Sequence, residues 1–329
     1  MALINSQNGG LSGFFKDKIK NYLQVQEPEN VDQEKFISCH NLVKIYKIDN
    51  MEVFALQGLE LNIKKGEMVG IIGSSGSGKS TLLNIFGGLD TPTGGQVKVA
   101  GWNINQMGYR DQILYKRQVV GFVWQSISRN LVPYLTALEN VKLPMILGGS
   151  LRQKDWATEL LEAVGLKDRM NHRPLEMSGG QQQRVAIAIA LANKPSVLLA
   201  DEPTGSLDSK TGTEIFRVLK NVSHKFGVTV IIVTHDRSLS GLVDRAVEIR
   251  DGKISTESVR QKEVSDEDIK IGIKQKEEDM ETHNKYTIVD SAGRLQIPED
   301  YLEKLGLGER AELKMEDERI VVKVPDDKD

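Results

Sequence analysis

Residues 73–81 read Gly-Ser-Ser-Gly-Ser-Gly-Lys-Ser-Thr and follow directly on the apolar run Met68-Val-Gly-Ile-Ile72. A strand-length apolar run that breaks into glycines and then into helix formers predicts a strand, a tight loop and a helix start. Gly73, Gly76 and Gly78 let the backbone turn so that the successive N–H groups of Ser74, Ser75, Ser77 and Lys79 converge on one anionic centre, with the helix N-terminus behind them. Such a loop cradles phosphate. Lys79 then reaches the β- and γ-phosphate oxygens as a point charge, the Ser80 hydroxyl is placed to hold Mg2+, and Thr81 completes the loop. The fold consequence is an α/β chain organised around that strand–loop–helix unit.

The length suits one α/β domain with smaller attachments, and 39% hydrophobic residues suffice for a buried core. A formal charge of −3 gives no electrostatic case for nucleic acid or for an acidic partner. Cys39 is the single cysteine, which excludes an internal disulfide framework and suits a reducing compartment. No apolar run approaches the roughly 18 residues that cross a bilayer, and the N-terminus lacks a secretory pattern, so a cytosolic chain is expected.

Along the chain, residues 1–36 form a polar extension in which Leu11, Phe14, Phe15, Ile19, Tyr22 and Leu23 share one half of a helix. Lys18 interrupts that face. A helix packed on the main domain or merely frayed is therefore favoured over one lying on a membrane. From 37 to 256, strand-length apolar runs (Met68–Ile72, Val119–Val123, Val197–Ala200, Val228–Val233) alternate with helices at Lys79–Phe86, Thr136–Lys142 and Ser178–Asn193. That order predicts a largely parallel sheet covered by helices. Residues 257–285, rich in Glu, Lys, Asp and Gln, read as a charged linker. Residues 286–325 read as a compact ββαββ unit: short strands either side of Asp290–Arg294, a helix opened by Pro298 and stopped at Gly306, and a hairpin around Glu316–Glu318.

Further constellations accompany the phosphate loop. Val197-Leu-Leu-Ala-Asp-Glu-Pro203 puts Asp201 at a buried strand end, where a carboxylate orients magnesium and its waters. Glu202 beside it is the candidate base for an attacking water. Met177-Ser-Gly-Gly-Gln-Gln-Gln-Arg184 starts a helix with Ser178 at the cap and Gly179 and Gly180 exposing backbone N–H groups, a second anion site. In this order the motifs resemble those of ATP-binding-cassette ATPases over roughly Phe36 to Ile254. The resemblance implies a P-loop cassette with a RecA-like core and a helical subdomain. It also implies ATP and Mg2+ as ligands, and Ser178-Gly-Gly-Gln181 as the signature motif.

By the same resemblance, Gln125 matches the glutamine that touches magnesium and the attacking water, and Asp208 in Ser206-Leu-Asp208 lies in the loop that crosses to the opposite subunit. His235 in Thr-His-Asp matches the histidine at the γ-phosphate. Tyr46 matches the aromatic that stacks on adenine, with Phe54 a second aromatic close by. The family works as a head-to-tail homodimer enclosing two ATP, so a homodimer is expected.

Gly87–Gly94, Arg129–Thr136, Glu139–Pro144 and Ala200–Asp208 are similar to the MacB, LolD and FtsE group. That likeness implies an integral membrane permease of the MacB/FtsX-like type docking near Gln125 to Pro144, and a place at the inner face of the membrane through that permease. Ile189 departs from the group, which carries Arg there. Val289–Pro298 with Tyr301–Gly306 resembles the SpoVT/AbrB swapped-hairpin domain, a DNA-binding dimer. Residues 286–329 carry 7 Lys/Arg against 12 Asp/Glu, net −5, so DNA binding by the tail is disfavoured and a dimerisation or regulatory role is expected.

Overall fold

The computed structural model describes residues 31–49, 51–149, 154–260, 283–289, 293–307, 311–317 and 319–324. The amphipathic stretch 11–23 and residues 261–282 lie outside them. In chain order the elements are β1 (Ile37–Ile48), β2 (Met51–Ile63), β3 (Met68–Ile72), α1 (Lys79–Phe86), β4 (Gly94–Val99), β5 (Trp102–Asn103) and α2 (Tyr109–Leu114). A π-helical turn at Tyr115–Val119 leads into β6 (Val120–Val123), α3 (Ala137–Leu147), α4 (Lys154–Ala163), α5 (Gly179–Ala190), β7 (Val197–Asp201), α6 (Ser209–Phe226) and β8 (Thr229–Thr234). After a 3-10 turn at Arg237–Leu242 come β9 (Arg245–Arg250), β10 (Lys253–Arg260), β11 (His283–Thr287), α7 (Glu299–Leu305), β12 (Glu312–Glu316) and β13 (Arg319–Lys323).

The strands of the main sheet run in the order β11-β10-β9-β3-β8-β7-β6. From β9 to β6 every neighbouring pair is parallel, while β10 and β11 add on antiparallel. Side chains alternate between two cores because a strand has a period of two. On β3, Met68 and Ile72 enter one core, and Val69 and Ile71 the other. On β8, Val230 and Ile232 share the first with α3 to α6, while Ile231 and Val233 share the second with α1 and the antiparallel sheet. This is why the central strands are apolar at every position rather than alternating.

Three features differ from the sequence expectation. A four-stranded antiparallel sheet, β2-β1-β4-β5, covers one face of the main sheet. Its strands alternate in burial, and β1 and β2 carry register shifts that blur their period. The stretch expected as a charged linker is strand at both ends, β10 reaching Arg260 and β11 starting at His283. β11 pairs with β10 from Thr256↔Thr287 to Arg260↔His283. Within the tail, the first expected hairpin is a single bridge, Val289↔Leu295. An open sheet edge offers a strand a full ladder, whereas a lone hairpin is marginal. Helix α7 and the β12–β13 hairpin stand where the sequence predicts them, with Pro298 and Gly306 bounding the helix.

Candidate active site

Gly78 ends the phosphate loop as the N-cap of α1 with φ +103. A Cβ there would come within 2.4 Å of the Ala55 carbonyl oxygen, so only glycine lets the loop lie against β2. Ser74, Ser75 and Gly76 are exposed. Lys79 is buried at 7% exposure and its ammonium donates to the carbonyls of Gly73 (2.8 Å) and Ser74 (2.7 Å). Desolvation lowers its pKa, opposed by the charges of Glu202 and Asp201.

The Ser80 hydroxyl stands 3.3 Å from Asp201 Oδ1. Burial raises the Asp201 carboxyl above the ordinary carboxylate range; the Ser80 bond and Lys79 pull it down, and Glu202 pushes it further up. A hydroxyl and a carboxylate side by side give an oxygen-only donor set, which suits Mg2+ completed by waters and phosphate oxygens.

Glu202 follows β7 with φ +45, a left-handed backbone that costs a non-glycine residue of order 1–3 kcal/mol. Its N–H donates to the Val233 carbonyl (2.9 Å), fixing the turn against β8. The carboxylate is 13% exposed and held at both oxygens: Oε1 lies 2.9 Å from His235 Nδ1, and Oε2 accepts from the Thr234 hydroxyl (3.3 Å). Thr234 in turn accepts from the Asp236 N–H (3.1 Å). Glu202 and His235 therefore form a carboxylate–imidazole pair at the ends of adjacent parallel strands, next to the Ser80–Asp201 pair.

Gln125 is exposed just beyond β6. A Cβ at Gly205, in the turn after Glu202, would stand 3.6 Å from the Glu202 Cβ and 3.7 Å from Gln125 Nε2, so the Gln125 amide and the Glu202 turn face each other across Gly205. Asn130, unassigned by sequence reasoning, holds that loop. Its Oδ1 accepts from the Trp124 N–H (3.0 Å), and its Nδ2 donates to the carbonyls of Trp124 (3.0 Å) and Ser126 (3.2 Å). An Asn inside a turn-rich stretch was the available signal.

Ser178 caps α5, its hydroxyl accepting from the Gln181 N–H (3.3 Å) while Gln181 Oε1 accepts from the Ser178 N–H (3.0 Å). Cβ atoms at Gly179 and Gly180 would lie 3.2 Å from Leu207 and 2.5 Å from Thr211, so this cap sits against the turn holding Asp208. Asp208 itself caps α6, accepting from the Thr211 N–H (3.0 Å) and hydroxyl (2.7 Å). The Tyr46 hydroxyl donates to Asp90 Oδ2 (2.7 Å), and Lys44 Nζ lies 4.8 Å from its ring centroid and 2.5 Å from Asp90 Oδ1. Phe54, on β2, is 52% exposed. Ile189 packs partly buried against the helix-side core, where an Arg would have to reach outward.

A profile of the family described as ABC transporter matches residues 56–205. An uncharacterised ABC transporter ATP-binding protein of Thermotoga maritima is 50% identical over 223 residues, 67% of this chain and 94% of that protein. The macrolide export ATP-binding/permease protein MacB of Rhodopirellula baltica is 43% identical over 230 residues, and there the chain spans 33% of the relative. Among solved structures, the ATP-binding cassette MJ0796 of Methanocaldococcus jannaschii, as a post-hydrolysis dimer bound to ADP and phosphate, superposes with a TM-score of 0.60 at 44% identity, covering 67% of this chain and 97% of that one. With half of its aligned residues shared across nearly the whole of one such protein, this chain belongs to the ABC transporter ATP-binding family and is an ATPase.

Proposed function

We propose that the chain is the nucleotide-binding subunit of a transporter. Two copies enclose two ATP, each between the phosphate loop of one copy and the Ser178–Gln181 cap of the other. In this reading Lys79 and the loop N–H groups bind the phosphates, Ser80, Asp201 and Gln125 hold Mg2+, and Tyr46 stacks on adenine. Glu202 takes the proton of the attacking water while His235 orients both the carboxylate and the γ-phosphate. Mg2+, when bound, neutralises charge developing on the phosphate oxygens. Asp208 faces the partner copy. The observation that carries the hydrolytic assignment is the Glu202–His235 pair at 2.9 Å beside the Ser80–Asp201 pair.

The partner implied is an integral membrane permease of the MacB/FtsX-like type, used for export, lipoprotein release or mechanical signalling across the envelope. It places the chain at the inner membrane face. The identity shared with a protein named as a macrolide export ATP-binding/permease protein supports this choice. Among the described residues no helix is long and apolar enough to cross a membrane, so the permease supplies the spans in this reading. Residues 286–325 are proposed as a SpoVT/AbrB-like unit that holds two copies together between cycles. One face of the β12–β13 hairpin is apolar and uncovered, with Leu313 67%, Met315 77% and Ile320 67% exposed, which supports a protein partner rather than DNA.

Glu202→Gln tests the hydrolytic reading. With ATP and magnesium, light scattering should show a persistent dimer, and turnover should fall by roughly 10²–10⁴, the range for removing a general base. Turnover near the parental rate would sink the assignment of Glu202.

A further inference from the structure

The segment that carries His235 is anchored at two ends. Towards the site, Thr234 and His235 hold Glu202. On the far side, Arg237 opens the 3-10 turn Arg237–Leu242 and its guanidinium donates to Glu248 Oε1 on β9. The other oxygen, Glu248 Oε2, accepts from the Thr256 hydroxyl on β10 at 3.0 Å. Thr256 is 4% exposed and stands opposite Glu248 on one side and opposite Thr287 of β11 on the other. The Ile288 N–H continues that edge by donating to the Ser255 carbonyl (3.2 Å), and the Ser255 hydroxyl donates back to the Glu248 carbonyl (3.2 Å).

One carboxylate thus joins the histidine-bearing turn to the strand on which the tail is docked. The Glu248 side chain is 26% exposed and that of Arg237 74%, so the Thr256–Glu248 bond is the partly dehydrated member of this chain of contacts and the Arg237–Glu248 pair its solvent-facing end, where an ion pair is screened. β11 is the terminal strand of the main sheet on this side. It is a five-residue edge strand whose ladder neighbour is β10, joined to the cassette across residues 261–282. Docked, it holds Thr256 between two strands; undocked, it leaves β10 as an open edge.

We propose that Arg237 and Glu248 are positioning residues for His235, and that docking of β11 on β10 sets the hydrolysis rate through the Thr256–Glu248–Arg237 relay. The tail is then a regulator of turnover in the same chain. This rests on His235 acting at the Glu202 site. Nucleotide binding is outside the relay, since its side-chain hydrogen bonds run among Arg237, Glu248 and Thr256 while the Lys79 ammonium is held by the Gly73 and Ser74 carbonyls. The signature is a change in kcat with little change in KM for ATP.

The test uses the full chain. Arg237→Gln and Glu248→Gln should each lower kcat roughly two- to fivefold, as expected for an ion pair with one largely exposed partner, with KM for ATP unchanged within about twofold. The double variant should be no slower than the slower single, because both cut one connection. Ile288→Pro removes the N–H that meets Ser255 and should lower kcat by a similar factor, with no further drop when added to Glu248→Gln. An unchanged kcat in Glu248→Gln, additive losses in the double variant, or a full effect of Ile288→Pro on top of Glu248→Gln would each overturn the relay. His235→Ala separates the two levels of the argument. If it hydrolyses ATP at the parental rate, the reading of His235 fails; if it is slow while Glu248→Gln is normal, only the relay fails.

Discussion

Replacing Asn130 by Asp should slow ATP hydrolysis while leaving the phosphate loop able to bind nucleotide. The amide makes three hydrogen bonds to the backbone of the loop carrying Gln125, two of them to Trp124 in a partly buried setting. Aspartate keeps the acceptor for the Trp124 N–H but turns a donor into an anion facing the carbonyls of Trp124 and Ser126. Each partly buried bond contributes about 1 kcal/mol net, and a carbonyl left unpaired beside a carboxylate costs at least that again. The local penalty is therefore about 2 kcal/mol. It falls on the loop rather than on the whole domain, because Trp124 remains stacked on Phe122 with ring centroids 3.9 Å apart. If the loop must be ordered for Gln125 to act, 2 kcal/mol corresponds to roughly a 30-fold loss of kcat. Steady-state ATPase assays with nucleotide-binding titrations separate the effects. Asn130→Ala, which loses the bonds without adding charge, should fall between parent and Asp variant. A parental kcat in Asn130→Asp, or a loss wholly in nucleotide affinity, would refute the reasoning.

Two further expectations concern stability. Gly180→Ala should destabilise the chain by about 1–3 kcal/mol in urea unfolding, since the new Cβ would stand 2.5 Å from Thr211 Cγ2; adding Thr211→Ser, which deletes that methyl, should recover most of it. Two carboxylates should show opposite pH signatures without nucleotide or magnesium. For Asp201 the folded pKa is raised, chiefly by burial, so the native chain holds its proton more tightly than the unfolded one and stability falls as pH climbs through that interval; Asp201→Asn should gain on the parent over the same rise. For Asp90, burial pushes up but hydrogen bonds from Lys44, Tyr46 and the Thr91 N–H win and hold the folded pKa low, so its contribution is complete above the ordinary carboxylate pKa and vanishes as pH drops through the folded value; the deficit of Asp90→Asn should close over that drop. Chemical denaturation across pH checks both signs.

Sequence alone determined the strand β3, the loop and helix α1 to the residue, because glycine spacing, apolar run and helix formers are all local signals. It also placed the strand ends carrying Asp201 and His235 and the capped start of α5, since caps and buried strands leave short-range marks. The β1–β2–β4–β5 sheet was not legible: its strands are half buried with register shifts, so their alternation is broken, and their pairing depends on a face offered by the main sheet. Nor could local pattern show that Asn130 holds the Gln125 loop, because a polar side chain in a turn looks the same whether its partners are backbone or water. The partner of β11 was likewise decided only in three dimensions. Tyr286 and its neighbours read as half of a tail hairpin, and the open side of β10, whose pairing residues 256–260 fall almost wholly within the stretch read as linker, settled the pairing through a longer ladder of backbone hydrogen bonds.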